Sequence, residues 1–138
     1  MGGLEERNKA LVLEYMEAFR TFDPEVYFPY LADEPTYRAG MNTYRGREAF
    51  KRNTDAGRLL YPEPESATNE TLAVLADGDW VAVLLIRRAR TNKVDDYENI
   101  YAMFYEVLDG RIHTQVEMLD FRVSTDMFDL SVLSALDR

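Results

Sequence analysis

The chain has 138 residues, of which 25 are Asp or Glu, 16 are Lys or Arg and none is Cys, so its formal net charge is −9. The lack of cysteine excludes disulfides, thiolate metal ligands and cysteine nucleophiles, and it is compatible with the cytoplasmic location that we expect. The negative charge disfavours phosphate backbones and anionic lipid surfaces, so neither nucleic acid nor a membrane is an expected partner. Residues 1–6 do not resemble a signal peptide, and the length fits one domain, residues 1–138.

Two helices are predicted at the start of the chain. Residues 4–22 carry apolar side chains at intervals of three, four and seven, which is typical of an amphipathic helix. A second, short helix is predicted to begin after Asp23, which can cap it, with Pro24 in its first turn. It is expected to end just before Pro35, because the residue before a proline is disfavoured in helical conformation.

The rest of the chain is predicted to contain a short strand, a third helix and then a meander of four long strands with a last helix after Ser124 or Thr125. The Asp-Gly pairs at 77–78 and 109–110 lie between apolar runs and indicate tight hairpins. Strands this long twist and curl, so we expect an α+β fold in which an antiparallel sheet forms a concave face that the helices fill. The predicted boundaries are 36–40 for the first strand, 44–60 for the third helix, and 66–76, 79–90, 96–108 and 111–123 for the long strands.

Both faces of the predicted strand 79–90 are apolar, so both must be covered. The helices are expected to cover the concave face of the sheet. A second copy of the chain is expected to cover the convex face as a twofold homodimer. The alternative is that the C-terminal helix covers it alone.

Five short segments, in this order along the chain, resemble motifs of the SnoaL-like and ketosteroid-isomerase-like branch of the nuclear transport factor 2-like superfamily. The resemblance covers nearly the whole chain and implies a cone-shaped α+β barrel, of the cystatin-like kind, with a pocket between helices and sheet. One fold hosts many activities, so the motifs specify the fold better than the reaction. The segments 15–23, 30–33, 45–49, 109–112 and 117–120 read YMEAFRTFD, YLAD, RGREA, DGRI and EMLD.

The resemblance points first to Asp120 as a catalytic residue. In the similar polyketide cyclases and epoxide hydrolases, an Asp at the corresponding place acts as general acid or base. The alternation of side chains along a strand puts Asp120 on the same face of the last strand as Val116 and Met118. A carboxyl group in an apolar pocket suits proton transfer near neutrality. The alternative is a solvated Asp at the strand end, or one paired with Arg122 or with an arginine on the neighbouring strand.

Tyr15 aligns with the tyrosine that, in ketosteroid isomerases, donates a hydrogen bond to the developing oxyanion. The alternative is a core tyrosine whose hydroxyl is already satisfied. The second oxyanion donor of those isomerases is replaced here by Tyr101 or Ala102, and their general base by Ala39. These departures argue against steroid isomerisation.

Two further patterns of the superfamily are incomplete. The Arg-x-Asp of the epoxide hydrolases reads Arg87-Arg88-Ala89 here, so its Asp is missing. His113 is the only histidine, which argues against dehydratases with paired histidines and against zinc or iron sites. No glycine-rich phosphate loop is present, so no cofactor is expected.

The predicted strand 96–108 carries a row of polar-tipped aromatic residues on one face. A concave position would make this row the lining of a ligand pocket, and a convex position would make it part of a dimer interface. The resemblance favours the concave position, with Tyr30, Tyr37 and Tyr44 adding to the pocket. The basic residues of 45–52 are expected to form a solvated helix face rather than an anion site. The ligand-binding candidates are Tyr30, Tyr37, Asn99, Met103, Tyr105 and Met118.

These features favour a cofactor-independent isomerase, cyclase or lyase that acts on a small hydrophobic, oxygenated molecule of polyketide- or steroid-like type. In that mechanism Asp120 moves a proton, and Tyr15 or Tyr101 binds a carbonyl or enolate oxygen. The first alternative is a non-catalytic module of the same fold that binds a ligand or a protein. The second is a structural subunit that resembles the small subunit of aromatic-ring dioxygenases.

Overall fold

The chain begins with two helices, has a third helix between its second and third strands, and ends with a helix after a meander of four long strands. The computed structural model describes residues 3–137. The first two residues of the N-terminal segment 1–6, which does not resemble a signal peptide, therefore lie outside the described part. The helices are α1 (Gly3–Phe19), α2 (Pro24–Tyr27), α3 (Arg47–Leu60) and α4 (Phe121–Met127), with short 3-10 segments at Phe28–Tyr30, Pro64–Ser66 and Leu130–Asp137. The strands are β1 (Leu31–Ala39), β2 (Asn42–Arg45), β3 (Thr68–Asp77), β4 (Trp80–Ala89), β5 (Tyr97–Leu108) and β6 (Arg111–Leu119).

The six strands form one curved sheet in the order β2-β1-β6-β5-β4-β3. The predicted α+β fold with a cone-shaped sheet is confirmed. The hairpin before β6 has the backbone twist that its Asp-Gly pair predicts, with φ of 51° at Asp109 and 72° at Gly110. The prediction of a wholly antiparallel, barrel-like sheet is wrong in two respects: β1 and β6 run parallel, and the sheet does not close.

The second helix is shorter, and the first strand longer, than predicted. The helix ends at Tyr27, and β1 starts at Leu31 and continues through Pro35. Proline has no backbone N–H and is tolerated in a strand where the pairing is irregular. Pro35 lies at such a place, because the register between β1 and β6 shifts between Leu31 and Thr36.

A one-residue bulge in β6 decides which side chains enter the concave side of the sheet. Val107 pairs with Ile112 and the preceding residue of β5, Glu106, pairs with Thr114, so His113 is an extra residue in β6. A bulge reverses the alternation of every residue that follows it. The side chains that point inward after the bulge are therefore Gln115, Glu117 and Leu119.

The final strand and the last helix also differ from prediction. β6 ends at Leu119 rather than at residue 123, and α4 follows at once. The N-cap of α4 is Asp120, not Ser124 or Thr125: its carboxylate accepts hydrogen bonds from the backbone N–H groups of Arg122 (3.1 Å) and Val123 (3.2 Å).

The core lies between the concave face of the sheet and the N-terminal helices. The polar-tipped row on β5 points into it, as the concave interpretation predicted, and α1 packs against it with Val12, Tyr15 and Ala18. The row is buried along its whole length because α1, α3 and the chain after β6 cover it. Its members are Tyr97, Asn99, Tyr101, Met103 and Tyr105.

The convex face of the sheet remains apolar and exposed. The C-terminal 3-10 segment packs against α3, and Phe128 is buried on the concave side, so the end of the chain does not cover the convex face. No helix of residues 3–137 is both long and apolar enough to cross a bilayer. The large apolar side chains exposed on the convex face include Leu75, Trp80, Ile100, Phe104 and Met118.

Candidate functional site

A cavity of about 200 Å³ lies between α1, α3 and the concave face of β3 to β6. The C-terminal part of the chain forms one of its walls through Ser124, Phe128 and Leu130. Most of its lining is apolar or aromatic, which is typical of sites for small organic ligands. The apolar lining includes Met16, Phe19, Phe22, Leu60, Tyr61, Met103 and Leu119.

Glu117 is the carboxylate of this lining. The bulge at His113 turns its side chain inward, opposite Met103 of β5. The hydroxyl of Tyr37 donates a 2.5 Å hydrogen bond to Oε2 of Glu117 and accepts one of 2.8 Å from Nδ2 of Asn53. Burial, and then the nearby charge of Glu117, raise the pKa of Tyr37 well above its usual value, so its hydroxyl keeps the proton that it donates.

Arg87 supplies a positive charge to the cavity, whereas Arg20, which also lines it, is paired with Glu17. Arg87 projects inward from β4, its Nε donates a 3.0 Å hydrogen bond to Oδ1 of Asn69, and its guanidinium lies 4.5 Å from the ring centroid of Tyr101. Burial acts to lower the pKa of Arg87, but Tyr61, Tyr101 and Glu117 raise it by more, so the net direction is upward. The guanidinium therefore stays cationic inside the cavity.

Arg87 and Glu117 line the same cavity but do not form an ion pair with each other. Each is held by neutral partners instead: Arg87 by Asn69 and Glu117 by Tyr37. Within the described part of the chain, both side chains therefore lack an ion-pair partner and can interact with a third group in the cavity.

Tyr105 adds a hydroxyl to the same lining. Burial and the charge of Glu117 raise the pKa of Tyr105, so the hydroxyl is protonated at neutral pH. It has no hydrogen-bond partner within residues 3–137, and can donate to a ligand. The hydroxyl of Tyr101, by contrast, lies 2.6 Å from that of Tyr97 and already shares a hydrogen bond with it.

Two of the predicted site residues lie outside the cavity, and these are corrections. Asp120 is exposed and its carboxylate caps α4, so it does not face the cavity. Met118 is 41% exposed on the convex face. Both predictions assumed uninterrupted alternation in β6, and the bulge at His113 reverses it.

Three other predicted residues are buried or packed beside the core rather than in the cavity wall. The hydroxyl of Tyr15 donates a 2.6 Å hydrogen bond to Oε1 of Gln115, and Tyr30 packs edge-on against the Tyr15 ring. Asn99 donates to the Tyr97 hydroxyl and to the carbonyl of Asp120. These contacts favour the alternative of a core tyrosine with a satisfied hydroxyl for Tyr15.

The remaining predicted residues fall into two groups. Tyr101, Met103 and Tyr105 line the cavity, and Tyr37 reaches it through Glu117. Tyr37 and Tyr44 line a separate groove between α3 and the C-terminal segment, together with basic residues of 45–52. One residue of the basic cluster, Arg47, donates to backbone carbonyls of β1 instead.

A model of the SnoaL-like domain family matches residues 12–114. The chain belongs to the SnoaL-like domain family. The match includes Arg87 and the first three strands of the cavity wall but ends before Glu117. A search of curated proteins found no match to this SnoaL-like domain.

Solved structures share the fold of this SnoaL-like domain at low sequence identity. One, named as a SnoaL-like polyketide cyclase from Jannaschia sp. CCS1, has a TM-score of 0.77 and 12% identity over 88% of this chain and 91% of that chain. One named as a ketosteroid isomerase from Kribbella flavida has a TM-score of 0.66 and 21% identity over 83% and 78%. A nuclear transport factor 2-like protein from Cytophaga hutchinsonii has a TM-score of 0.65 and 15% identity over 86% and 94%. At these identities the likeness concerns the fold alone.

Sequence reasoning missed the two charged residues of the site. Glu117 opens the segment EMLD that carried the resemblance, but the alternation pointed to its last residue, Asp120, instead. The sequence pattern indicates Arg87 only as the first residue of an incomplete Arg-x-Asp motif and does not predict its place in a cavity. Within residues 3–137 no three His, Asp or Glu side chains come together as metal ligands.

Proposed function

We propose that this SnoaL-like domain binds a small oxygenated organic molecule in the cavity and transfers a proton on it, with Glu117 as general base and acid. The observation that carries the proposal is the presence of two unpaired charges, Glu117 and Arg87, in one aromatic cavity. The names of the structural neighbours, a polyketide cyclase and a ketosteroid isomerase, agree with this class of chemistry.

The reaction that fits these groups is removal of a proton from the carbon next to a carbonyl. The carboxylate of Glu117 takes the proton, and the electron pair of the C–H bond moves to the carbonyl oxygen to give an enolate. Arg87 and the free hydroxyl of Tyr105 are positioned in the same lining to stabilise the negative oxygen. Return of the proton to a different carbon gives an isomer, and attack of the enolate within the same molecule gives a ring.

Tyr37 and Asn53 act as positioning residues in this proposal. The Tyr37 hydroxyl fixes one carboxylate oxygen of Glu117 and leaves the other one to accept a proton. Asn53 in turn fixes the Tyr37 hydroxyl. A base held in one orientation loses less entropy when the reaction begins.

The test is the exchange of the protons next to the carbonyl of small ketones in deuterated water, followed by NMR. Glu117→Gln preserves the acceptor for Tyr37 but removes the base, and we expect the rate to fall by about 10²–10⁴-fold. Arg87→Met is expected to cost about 10²–10³-fold. Arg88→Met is the matched control, since Arg88 points outward and pairs with Glu70 and Glu98.

The outcome also separates the alternatives. Ketone binding without exchange would refute proton transfer and leave a ligand-binding module. Exchange that survives Glu117→Gln at the wild-type rate would refute the role of Glu117. Isolation only in complex with another chain would favour a structural subunit.

We also propose that the convex face mediates a homodimer. Exposed large apolar side chains from β3 to β6 form a continuous surface there, and the C-terminal segment packs against α3 instead. Exposed apolar residues that cluster on one face, rather than scattered singly, are typical of protein–protein interaction sites. Sedimentation velocity should find a species of twice 16.0 kDa, and Phe104→Glu, in the middle of the face, should dissociate it. A 16.0 kDa wild-type species at micromolar concentration would contradict the dimer.

A further inference from the structure

The dimensions and the charges of the cavity specify its ligand more narrowly than the proposed function requires. We propose that the cavity takes an uncharged carbonyl compound with a single ring or a short chain, and that Phe22 and Phe128 limit its size. The inference rests on the proposed function for the place of binding, but it does not depend on proton transfer.

The cavity volume sets the upper limit on size. An apolar cavity of about 150 Å³ accommodates a benzene ring, and sites for drug-sized ligands measure about 300–1,000 Å³. The cavity here measures about 200 Å³. It therefore has room for one ring with a small carbonyl substituent, and it is too small for a fused polycyclic skeleton of the steroid type.

Phe22 forms the wall of the cavity between α1 and α3. Its backbone has a φ of 58°, which is rare for a bulky side chain, and its carbonyl accepts a 2.6 Å hydrogen bond from Nη2 of Arg58. Its ring lies directly on Gly57 of α3, where an added Cβ would come within 2.8 Å of the ring. Unfavourable backbone conformations of this kind persist only where the surroundings hold them, and they cluster at functional sites.

Phe128 closes the cavity from the side of the C-terminal segment. Its ring packs edge-on against Tyr97 and Tyr61, with centroid distances of 4.7 and 5.3 Å, and it is buried. Phe22 also contacts Tyr61, at 5.9 Å. The two phenylalanines are thus linked through Tyr61 into one aromatic boundary.

The charges of the cavity favour an uncharged ligand. The lining carries two cations, Arg20 and Arg87, and one carboxylate, Glu117. Arg20 is already paired with Glu17 and donates to the carbonyl of Ala67. Arg87 and Glu117 are therefore the lining charges that have no ion-pair partner among the described residues. A carbonyl compound leaves this balance intact, and proton removal only moves the negative charge from Glu117 to the ligand oxygen near Arg87. A ligand carboxylate would instead add a second negative charge beside Glu117 in a site that water screens poorly.

Isothermal titration calorimetry with acetophenone, benzoate and 2-acetylnaphthalene tests both the size limit and the preference for an uncharged ligand. The wild-type protein is expected to bind acetophenone, which is neutral and has one ring, at least about tenfold more tightly than benzoate or 2-acetylnaphthalene. Hydrophobic burial alone would reverse the order of the two ketones, because the second ring buries more apolar area. Weaker binding of the larger ketone is therefore diagnostic of a size limit.

Phe22→Ala should enlarge the cavity and strengthen the binding of 2-acetylnaphthalene by about tenfold, while the preference for acetophenone over benzoate stays. Phe121→Ala is the control, because Phe121 is exposed at the start of α4 and does not line the cavity. If Phe22→Ala does not fold, Phe22→Leu serves the same purpose with a smaller gain.

Three results would overturn the inference: benzoate binding as tightly as acetophenone, 2-acetylnaphthalene binding the wild type as tightly as acetophenone, or no binding of any probe. The measurement is separable from the test of proton transfer. Selective binding of acetophenone without deuterium exchange would support the size and charge limits and refute the role of Glu117 as base. Exchange at equal rates in both ketones would support the base and refute the size limit.

Discussion

Replacing Tyr15 by phenylalanine removes one hydroxyl that donates a 2.6 Å hydrogen bond to Oε1 of Gln115, a residue that is 1% exposed. The substitution leaves a buried acceptor without its donor, which costs about 1–3 kcal/mol in the free energy of unfolding. For a domain of this length each kcal/mol lowers Tm by about 3–5 °C. We therefore expect Tyr15→Phe to lower Tm by about 3–15 °C and to leave ketone binding nearly unchanged.

Tyr105→Phe is the matched substitution with the opposite expectation. The Tyr105 hydroxyl has no partner within residues 3–137, so its removal should change the free energy of unfolding by less than about 0.5 kcal/mol. The same hydroxyl lines the cavity, and loss of one donor to a developing oxyanion costs about 10²-fold in rate. Deuterium exchange on acetophenone should slow accordingly.

Thermal unfolding, followed by circular dichroism, and the deuterium-exchange assay together distinguish a structural role from a catalytic role for each of the two hydroxyls. An unchanged Tm for Tyr15→Phe with a large loss of exchange would refute the structural role of Tyr15 and restore its role as oxyanion donor. An unchanged exchange rate for Tyr105→Phe would remove that residue from the mechanism.

Burial raises the pKa of several tyrosines, that of Tyr27 to about 12, so the folded state keeps protons that the unfolded chain releases near pH 10. The free energy of unfolding should therefore hold below about pH 10 and fall as the pH rises towards 12, as urea denaturation at a series of pH values would show. Asp120→Ala should cost about 1 kcal/mol by removing the cap of α4, whereas Asp120→Asn keeps an acceptor and should cost much less; both are measured by thermal unfolding. The amide of Asn92 pairs with the backbone N–H and carbonyl of Asp129, both at 2.9 Å, so Asn92→Ala should speed hydrogen exchange in residues 121–137 by about tenfold and leave the strands unchanged.

Each of these three expectations has a result that contradicts it. Stability that is constant up to pH 12 would mean that the tyrosines titrate normally in the folded state. Equal destabilisation by Asp120→Ala and Asp120→Asn would show that the carboxylate does more than cap α4. Uniformly faster exchange across the sheet of Asn92→Ala would show that the C-terminal segment does not open separately.

The inward face of β5 could be predicted from the sequence because the alternation of β5 is strict along its whole length. Tyr101, Met103 and Tyr105 therefore lie where the pattern put them. The hairpin at Asp109 was equally clear, because an Asp-Gly pair fits a turn that requires positive φ at both residues.

The inward face of β6 could not be predicted in the same way. Ile112 is buried before the bulge and Gln115 after it, so the spacing of buried residues is odd rather than even. Nothing in the composition of the strand marks His113 as the extra residue. Because of this one-residue bulge, Met118 and Asp120 lie outside the cavity and Glu117 lies in its wall.

The hydrogen bonds that hold Glu117 and Arg87 also could not be predicted from the sequence. Asn53 meets the site only through the fold, because it lies on α3 and hydrogen-bonds Tyr37. Asn69 faces Arg87 across the β3–β4 hairpin because the register shifts between Thr71 and Ala73. The left-handed backbone of Phe22 and its place on Gly57 follow from tertiary packing alone.

The central claim is that the working carboxylate is Glu117 and not Asp120. The most direct test measures deuterium exchange on acetophenone with the wild-type protein, Glu117→Gln and Asp120→Asn side by side, since both substitutions keep the shape of the side chain. We predict a fall of about 100-fold or more for Glu117→Gln and a rate close to that of the wild type for Asp120→Asn. The reverse pattern would contradict the assignment and would return the proton transfer to Asp120.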